Sequence, residues 1–372
     1  MPPITSTAYR QRGAQMGNRE TGKEEKEKIL LGHGSGGRLM RRLLNEAIIS
    51  EFGMEEPLLD AAVLDMNGRW ADAGAPFPFA RLAFTTDSYV VSPVFFEGGD
   101  IGDLAINGTV NDLAVSGAQP LAISAGFIIE EGFPVADLKK IVCSMSRAAK
   151  RAGVRVVTGD TKVVERGKGD GIFINTSGIG VIDQVAKNLS PRSIRPGDAV
   201  IVSGDMGRHG ISVMARRNGI DFDPPLESDT RPLNGLVKRM LLCGEAVRVM
   251  RDPTRGGLAT VLKEFAVDCG LSMVIREEDV PVMPSVRGAC GLLGLDYLYA
   301  ACEGALVAIV AAELAADVLE AMRPDEAGRA AAIIGKVVPS GRYPAGSVIL
   351  ETLAGGERML DMLAGEQLPR IC

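Results

Sequence analysis

Absences narrow the chemistry open to this 372-residue chain. It has only two histidines, His33 and His209, which disfavours His-rich zinc sites and a Ser-His-Asp arrangement and leaves acid–base work to Asp, Glu, Lys or a thiol. No uninterrupted apolar run approaches the ~20 residues of a membrane span. The opening MPPITSTAYRQR lacks the apolar segment of a signal peptide. The cysteines (Cys143, Cys243, Cys269, Cys290, Cys302 and Cys372) form no C-x-x-C pair. A reduced, cytoplasmic setting with most of them as small core residues is expected. Aromatics are scarce at 5%, and a net charge of −6 offers no electrostatic footprint for nucleic acid. What the chain has in quantity is glycine, 45 residues, which favours tight turns and close approach to a ligand. Its length supports two domains with substantial cores.

Residues 1–28 are polar and end in a run of alternating charge, and read as a mobile, solvated extension. Gly32-His-Gly-Ser-Gly-Gly37 then feeds a helical pattern. Gly34, Ser35, Gly36 and Gly37 before a helix could close over phosphate or serve as a hinge. No GK[ST] follows, so this is not a Walker A loop. Strands are expected over 58–64, with Asp60 at an edge, and over 81–88, ending in Thr86-Asp87-Ser88. Asp87 fits a hard-cation ligand or a turn residue.

Residues 102–118 predict a helix whose Asp103, Asn107 and Asn111 recur on one stripe, with Asp112 beside it. Because Asp and Asn are poor helix formers, the stripe points to a site, with a solvated face as the alternative. Further on, a strand over 121–129, a helix over 135–152 and a strand over 154–157 lead into Thr158-Gly-Asp-Thr-Lys162. There Lys162 is either a phosphate-binding charge or the surface ion partner of Asp160. A boundary is expected near 191–196. Asp252 in Asp-Pro-Thr-Arg-Gly-Gly257 opens a helix and marks a second phosphate or metal corner. Glu303, among small residues before an apolar strand, is a candidate base or a turn residue. Cys372, behind Gly355-Gly356, Gly365 and Pro369, is either a frayed end or a thiol on a tail that can reach a pocket.

Taken together, TTDS, VNDLAVSGA, GDTKV, DPTRGG and the closing PRIC resemble the HypE family of hydrogenase maturation factors. These are carbamoyl dehydratases within the aminoimidazole-ribonucleotide synthetase-like ATP-binding superfamily. The resemblance runs from Ile29 to Cys372 with motif order kept. It implies an α/β (α+β) two-domain fold with a flexible C-terminal tail, divided as 29–190 (ATP binding and dimerisation), 191–345 and 346–372.

By the same resemblance, ATP and Mg²⁺ are the cofactors and Asp60, Asp87, Asp112 and Asp252 the metal ligands. Gly34, Ser35, Gly36, Gly37, Thr86, Asn111 and Asp160 lie around the nucleotide. Cys372 accepts a carbamoyl group, and Lys162 and Glu303 handle the carboxamide oxygen and protons as it becomes a thiocyanate. The implied partners are a second copy, a carbamoyltransferase of the HypF type and an iron scaffold of the HypC/HypD type, with no nucleic acid and no membrane. Rival readings are a related ATP-dependent kinase or synthetase and a passive thiol carrier. Selenophosphate synthetases place their reactive Cys near the N-terminus, whereas this chain has none before Cys143.

Overall fold

A helix with 13 buried residues out of 15 anchors the N-terminal half of the chain. The structure, a computed structural model, describes residues 29–34, 37–52, 59–65, 81–182, 186, 188–363, 365 and 368–372. Residues 1–28, Ser35 and Gly36 therefore lie outside the described residues. Within Leu31–Cys372 the order begins α1 (Arg38–Leu44), α2 (Ser50–Phe52), β1 (Ala62–Asp65), β2 (Arg81–Tyr89), β3 (Phe95–Phe96) and β4 (Gly99–Asp100). The buried helix α3 (Ile101–Val115) follows, then β5 (Ala118–Glu130), α4 (Val135–Ala152), β6 (Arg155–Val164) and β7 (Ile172–Ile182). Five of these strands form one sheet in the order β1-β2-β7-β5-β6.

Local chemistry explains why α3 begins where it does. The Asp100 carboxylate accepts from the N–H groups of Gly102 (2.7 Å) and Asp103 (3.2 Å), which caps orphan donors at the helix start. Gly102 is required there because a Cβ would lie 2.5 Å from the Ile141 carbonyl oxygen, so α3 and α4 can approach closely. Helix α4 keeps Ile141, Met145, Ala148 and Ala152 on one buried face and ends at left-handed Gly153 (φ 70°).

The C-terminal half runs β8 (Ala199–Val202), α5 (Arg208–Arg217), α6 (Asn234–Leu241), β9 (Val247–Arg251), α7 (Gly257–Cys269), β10 (Ser272–Arg276), α8 (Pro284–Leu293), β11 (Val307–Val310), α9 (Ala315–Met322), β12 (Ala332–Val338), β13 (Val348–Glu351) and β14 (Glu357–Leu360). Its seven-stranded sheet has the order β14-β13-β10-β12-β8-β11-β9, with β3 and β4 forming a separate small ribbon. The four-residue strands β8 and β11 are buried throughout, as continuous apolar runs must be when both faces are covered. Leu113, Ala114 and Val115 of α3 share one apolar core with Ile201, Leu306 and Met240, so the two halves are joined by burial.

Three expectations change. Residues 346–360 are not all tail: β13 pairs in parallel with β10 and carries β14, because Val348, Ile349 and Leu350 are buried. Thr158–Lys162 does not follow a strand but lies inside β6, whose pairing with β5 continues to Val164. Of the cysteines only Cys290 and Cys302 are buried, and all six thiols are free. Among the described residues no helix is long and apolar enough to cross a membrane.

Candidate functional site

The alternation of β2 sends Ala83, Thr85, Asp87 and Tyr89 toward α3 and Thr86 and Ser88 to the opposite face. Asp112 reaches the same space from α3, Asp60 from just before β1, and Asp252 from the turn directly after β9. Carboxylate oxygens of Asp60, Asp112 and Asp252 all lie within 4.8 Å of one another. The Thr85 hydroxyl sits 2.8 Å from an Asp112 oxygen and 2.9 Å from the Asp60 carbonyl, tying the strand to the cluster. Arg251 holds Asp60 at 2.9 Å and also pairs with Glu264.

Burial, together with Asp87, Asp252 and Asp60, pushes the Asp112 carboxyl well above its ordinary range. Burial with Asp60 and Asp87 does the same to Asp252. Buried carboxylates this close repel one another and lack enough cationic partners, which is the donor set a hard divalent cation fits.

A cavity of about 240 Å³ is lined by Asp87, Asp112, Asp252, Arg255, Glu303 and Cys372, among others. Glu303 is 1% exposed, and its Oε1 has no hydrogen-bond partner. Burial, with Asp252, Asp229 and Asp87 nearby, raises its carboxyl well above the usual value, against the pull of Arg255. The Glu303 and Gly304 N–H groups donate to the buried Asp229 carboxylate (3.1 and 3.3 Å), fixing the turn. A Cβ on Gly304 would sit 1.7 Å from the Asp229 carbonyl oxygen.

Cys372 enters from the other side, its carbonyl accepting from Val90 N–H at 3.1 Å. The residue is half-buried, but desolvation of its sulfur in the cavity pushes the thiol up to about 12, opposed by Arg255. A second cavity of about 240 Å³ shares Leu59, Asp60, Asp252, Thr254 and Arg255 with the first and extends to Met40, Leu44 and Ile49. The acid cluster therefore stands between the thiol and a recess of mixed lining, with Met40, Leu44 and Ile49 beside Arg41, Asn45 and Arg251.

The structure brings together Asp60, Asp87, Asp112, Asp252, Glu303 and Cys372. Gly34 lines a recess beside Cys372, and Gly37 packs against the Leu363 carbonyl, so the described part of the glycine-rich segment faces the tail. Thr86 lines the cavity, but its hydroxyl points to the outer face and donates to the Thr176 carbonyl at 3.1 Å.

Asn111 is not at the cavity. Its Oδ1 accepts from Leu233 N–H (2.8 Å), and its Nδ2 donates to the carbonyls of Arg231 (3.1 Å) and Glu303 (3.2 Å). With its amide fully engaged, it is a buried tie rather than the expected nucleotide contact. The rest of the stripe is also held within the chain, though less completely: Asn107 donates to Thr230 (3.2 Å) while its buried Oδ1 has no partner, and the partly exposed Asp103 pairs with Arg151 (3.1 Å).

Asp160 and Lys162 are likewise apart from the acids. They pair at 2.6 Å, are 69% and 68% exposed, and lie on β6 at the sheet edge, three strands from Asp87. Sequence reasoning passed over Arg255, which lines both cavities and whose guanidinium is shifted up by Cys372, Asp87, Asp112 and Glu303. Its position within DPTRGG, among acids that require a cation, was the available signal.

Residues 60–182 match the N-terminal domain of the AIR synthase related proteins, and residues 195–345 match their C-terminal domain. A carbamoyl dehydratase HypE from Cupriavidus necator is 50% identical over 345 residues, covering 93% of this chain and 95% of that protein. The solved HypE–HypF complex superposes with a TM-score of 0.78 at 47% identity, covering 86% of this chain and 99% of that one. A HypE structure in complex with ATP gives 0.76 at 46% identity, with 93% and 100% covered. With the fold and near-complete coverage agreeing, the chain belongs to the AIR synthase related proteins and, within them, to the carbamoyl dehydratase HypE family.

Proposed function

We propose that this chain is an ATP-dependent carbamoyl dehydratase of [NiFe]-hydrogenase maturation that converts a carboxamide carried on Cys372 into a thiocyanate. The observation that carries the reading is that Cys372 lines one cavity with Glu303, Asp87, Asp112 and Asp252. The relative solved with ATP supports nucleotide binding. The recess around Met40, Leu44 and Leu59 suits a base, with the triphosphate directed at the acids. Asp60, Asp112 and Asp252, with Asp87 beside them, would hold Mg²⁺, which offsets the triphosphate charge.

Transfer of the γ-phosphoryl group to the carboxamide oxygen makes that oxygen a leaving group. Loss of both N–H protons and of phosphate then leaves S–C≡N, so one carboxamide and one ATP give one thiocyanate, ADP and phosphate. Glu303 takes a proton from nitrogen through its unpartnered Oε1. Arg255, beside the thiol, steadies charge developing on the oxygen and its phosphate.

Lys162, assigned the oxygen by family resemblance, comes to such a site only through a second copy. Homodimerisation through the outer sheet face is supported by exposed Phe84, Leu121, Ile128, Val157 and Ile179 on that face and edge. The HypE–HypF complex supports a carbamoyltransferase partner of the HypF type. The HypC/HypD-type iron scaffold and a cytoplasmic setting follow from the family reading.

Intact mass spectrometry of the C-terminal peptide tests the proposal. After loading by the carbamoyltransferase, Cys372 should lose one water only when Mg-ATP is added. A carbamoyl group that stays unchanged would leave a passive carrier.

A further inference from the structure

The closing segment Pro369–Cys372 is held mainly through its backbone, and one helix supplies most of the grip. Arg217, the last residue of α5, donates to the carbonyls of Pro369 and Arg370 and, with its Nε, to that of Ser92. His209, the second residue of α5, places Nε2 2.9 Å from the Ile371 carbonyl, while Nδ1 lies 2.8 Å from the Ser228 hydroxyl. A carbonyl can only accept, so Nε2 carries the proton and Nδ1 accepts from Ser228. Eight residues separate the two donors, about 12 Å along a helix, so the long Arg217 side chain reaches back to bring both ends of α5 onto three successive carbonyls.

From the opposite side, Ser92 N–H donates to the Arg370 carbonyl (3.2 Å) and Val90 N–H to that of Cys372 (3.1 Å). Every carbonyl of the last four residues thus has a donor. Two side chains set the register. Ile371 is buried in the core of the N-terminal half. Arg370, at φ 50°, pairs with Asp170 and donates to the Val90 carbonyl at 2.9 Å. Non-glycine residues hold such a φ only where the surroundings over-determine it. The Cys372 side chain alone is left to enter the cavity.

We infer that α5 is the latch of the tail: Arg217 and His209 are positioning residues that fix the backbone of Pro369, Arg370 and Ile371 and so set the Cys372 sulfur against Glu303. The inference rests on the reading of Cys372 as the reacting thiol. A latch that grips carbonyls is indifferent to what the sulfur carries, so the thiol, carboxamide and thiocyanate forms can dock in one register. The grip also ties two sequence-distant parts together: the Val90–Ser92 turn after β2 and the start and end of α5 close on the tail from both sides.

The test uses the full chain and alkylation by iodoacetamide, read peptide by peptide in the mass spectrometer, with exposed Cys143 as internal reference. Arg217→Ala is expected to raise the Cys372/Cys143 labelling ratio about tenfold. Arg217→Lys keeps the charge and the helix but cannot fork onto three carbonyls, and is expected to raise the ratio about threefold. Both should slow water loss from a preloaded tail by similar factors while ATP affinity stays unchanged, a pattern that general destabilisation does not produce. An Arg217→Lys chain that is folded and labels Cys372 at the parent rate overturns the latch. Labelling alone decides it: a parent chain whose loaded tail never loses water sinks the dehydratase reading and leaves the labelling result standing.

Discussion

Replacing Asn111 by Leu separates a structural tie from a nucleotide ligand. The side chain fits the same buried space but removes three hydrogen bonds, leaving Leu233 N–H and the carbonyls of Arg231 and Glu303 without that partner. At about 1 kcal/mol net per bond, plus desolvation of the stranded Leu233 donor, the loss is about 3–5 kcal/mol. With an unfolding entropy of about 2.1 cal/mol/K per residue, that lowers Tm by about 4–6 °C if the chain melts as a unit. Differential scanning calorimetry measures the fall, and isothermal titration with Mg-ATP on the folded protein measures binding. The expected result is a large drop in Tm with ATP affinity within about threefold of the parent. An unchanged Tm with ATP binding lost would refute the reasoning and return Asn111 to the nucleotide.

The remaining predictions follow from the same geometry. Glu303→Gln should bind ATP normally and leave a loaded carboxamide unconverted; full conversion would remove Glu303 as the base. Asp112 and Asp252 have folded-state carboxyls raised above their unfolded values, so the stability associated with their protonated forms is fully present below about pH 4 and is lost as pH rises through the raised folded values. The metal-free protein should therefore melt progressively lower from about pH 4 upward, and Mg²⁺ should flatten that slope; a slope identical with and without Mg²⁺ counts against a cation at these acids. Gly304→Ala places a Cβ 1.7 Å from the Asp229 carbonyl oxygen and should cost about 1–3 kcal/mol or more in urea melts, together with activity. Phe84→Glu on the outer sheet face should give monomers in sedimentation velocity. If Lys162 acts across a dimer, mixing Lys162→Ala chains with Glu303→Gln chains should restore part of the activity that each lacks alone.

The fold was most legible where one physical pattern dominated. The 3.6-residue period of 135–152 gave helix α4 at its observed bounds. The acids Asp60, Asp87, Asp112 and Asp252 were joined into one set by the family resemblance; residue by residue, turn, cap or solvated-face readings stayed open beside the cation one. The stripe on α3 misled because its premise, that Asp and Asn in mid-helix require a ligand, ignores a neighbouring segment that can satisfy them. Arg151, 48 positions on, pairs with Asp103, and Thr230–Leu233, more than 100 positions away, engage Asn107 and Asn111; nothing local to 101–115 announces either. Strands β13 and β14 were missed because four-residue strands flanked by glycines resemble a tail until their pairing with β10 is seen. Lys162 was read into the site by motif, and within one chain the topology places it on edge strand β6, apart from the acids.

Under the proposed function, the charges around the thiol separate docking from loading. Asp60, Asp87, Asp112, Asp252 and Glu303 face the cavity region against two guanidiniums, and one of these, Arg251, is already shared between Asp60 and Glu264. Only Arg255 remains beside the sulfur, and burial still pushes the docked Cys372 thiol up to about 12. The docked tail therefore holds sulfur as a neutral group: thiol, carboxamide or thiocyanate. Nucleophilic attack on an incoming carbamoyl donor needs the thiolate, whose ordinary pKa in water is about 8.5. Undocking restores that acidity, so under the proposed function loading falls to the free tail and dehydration to the bound one. The backbone latch on α5 lets the same tail do both, because it holds the chain without depending on the charge or size of what the sulfur carries.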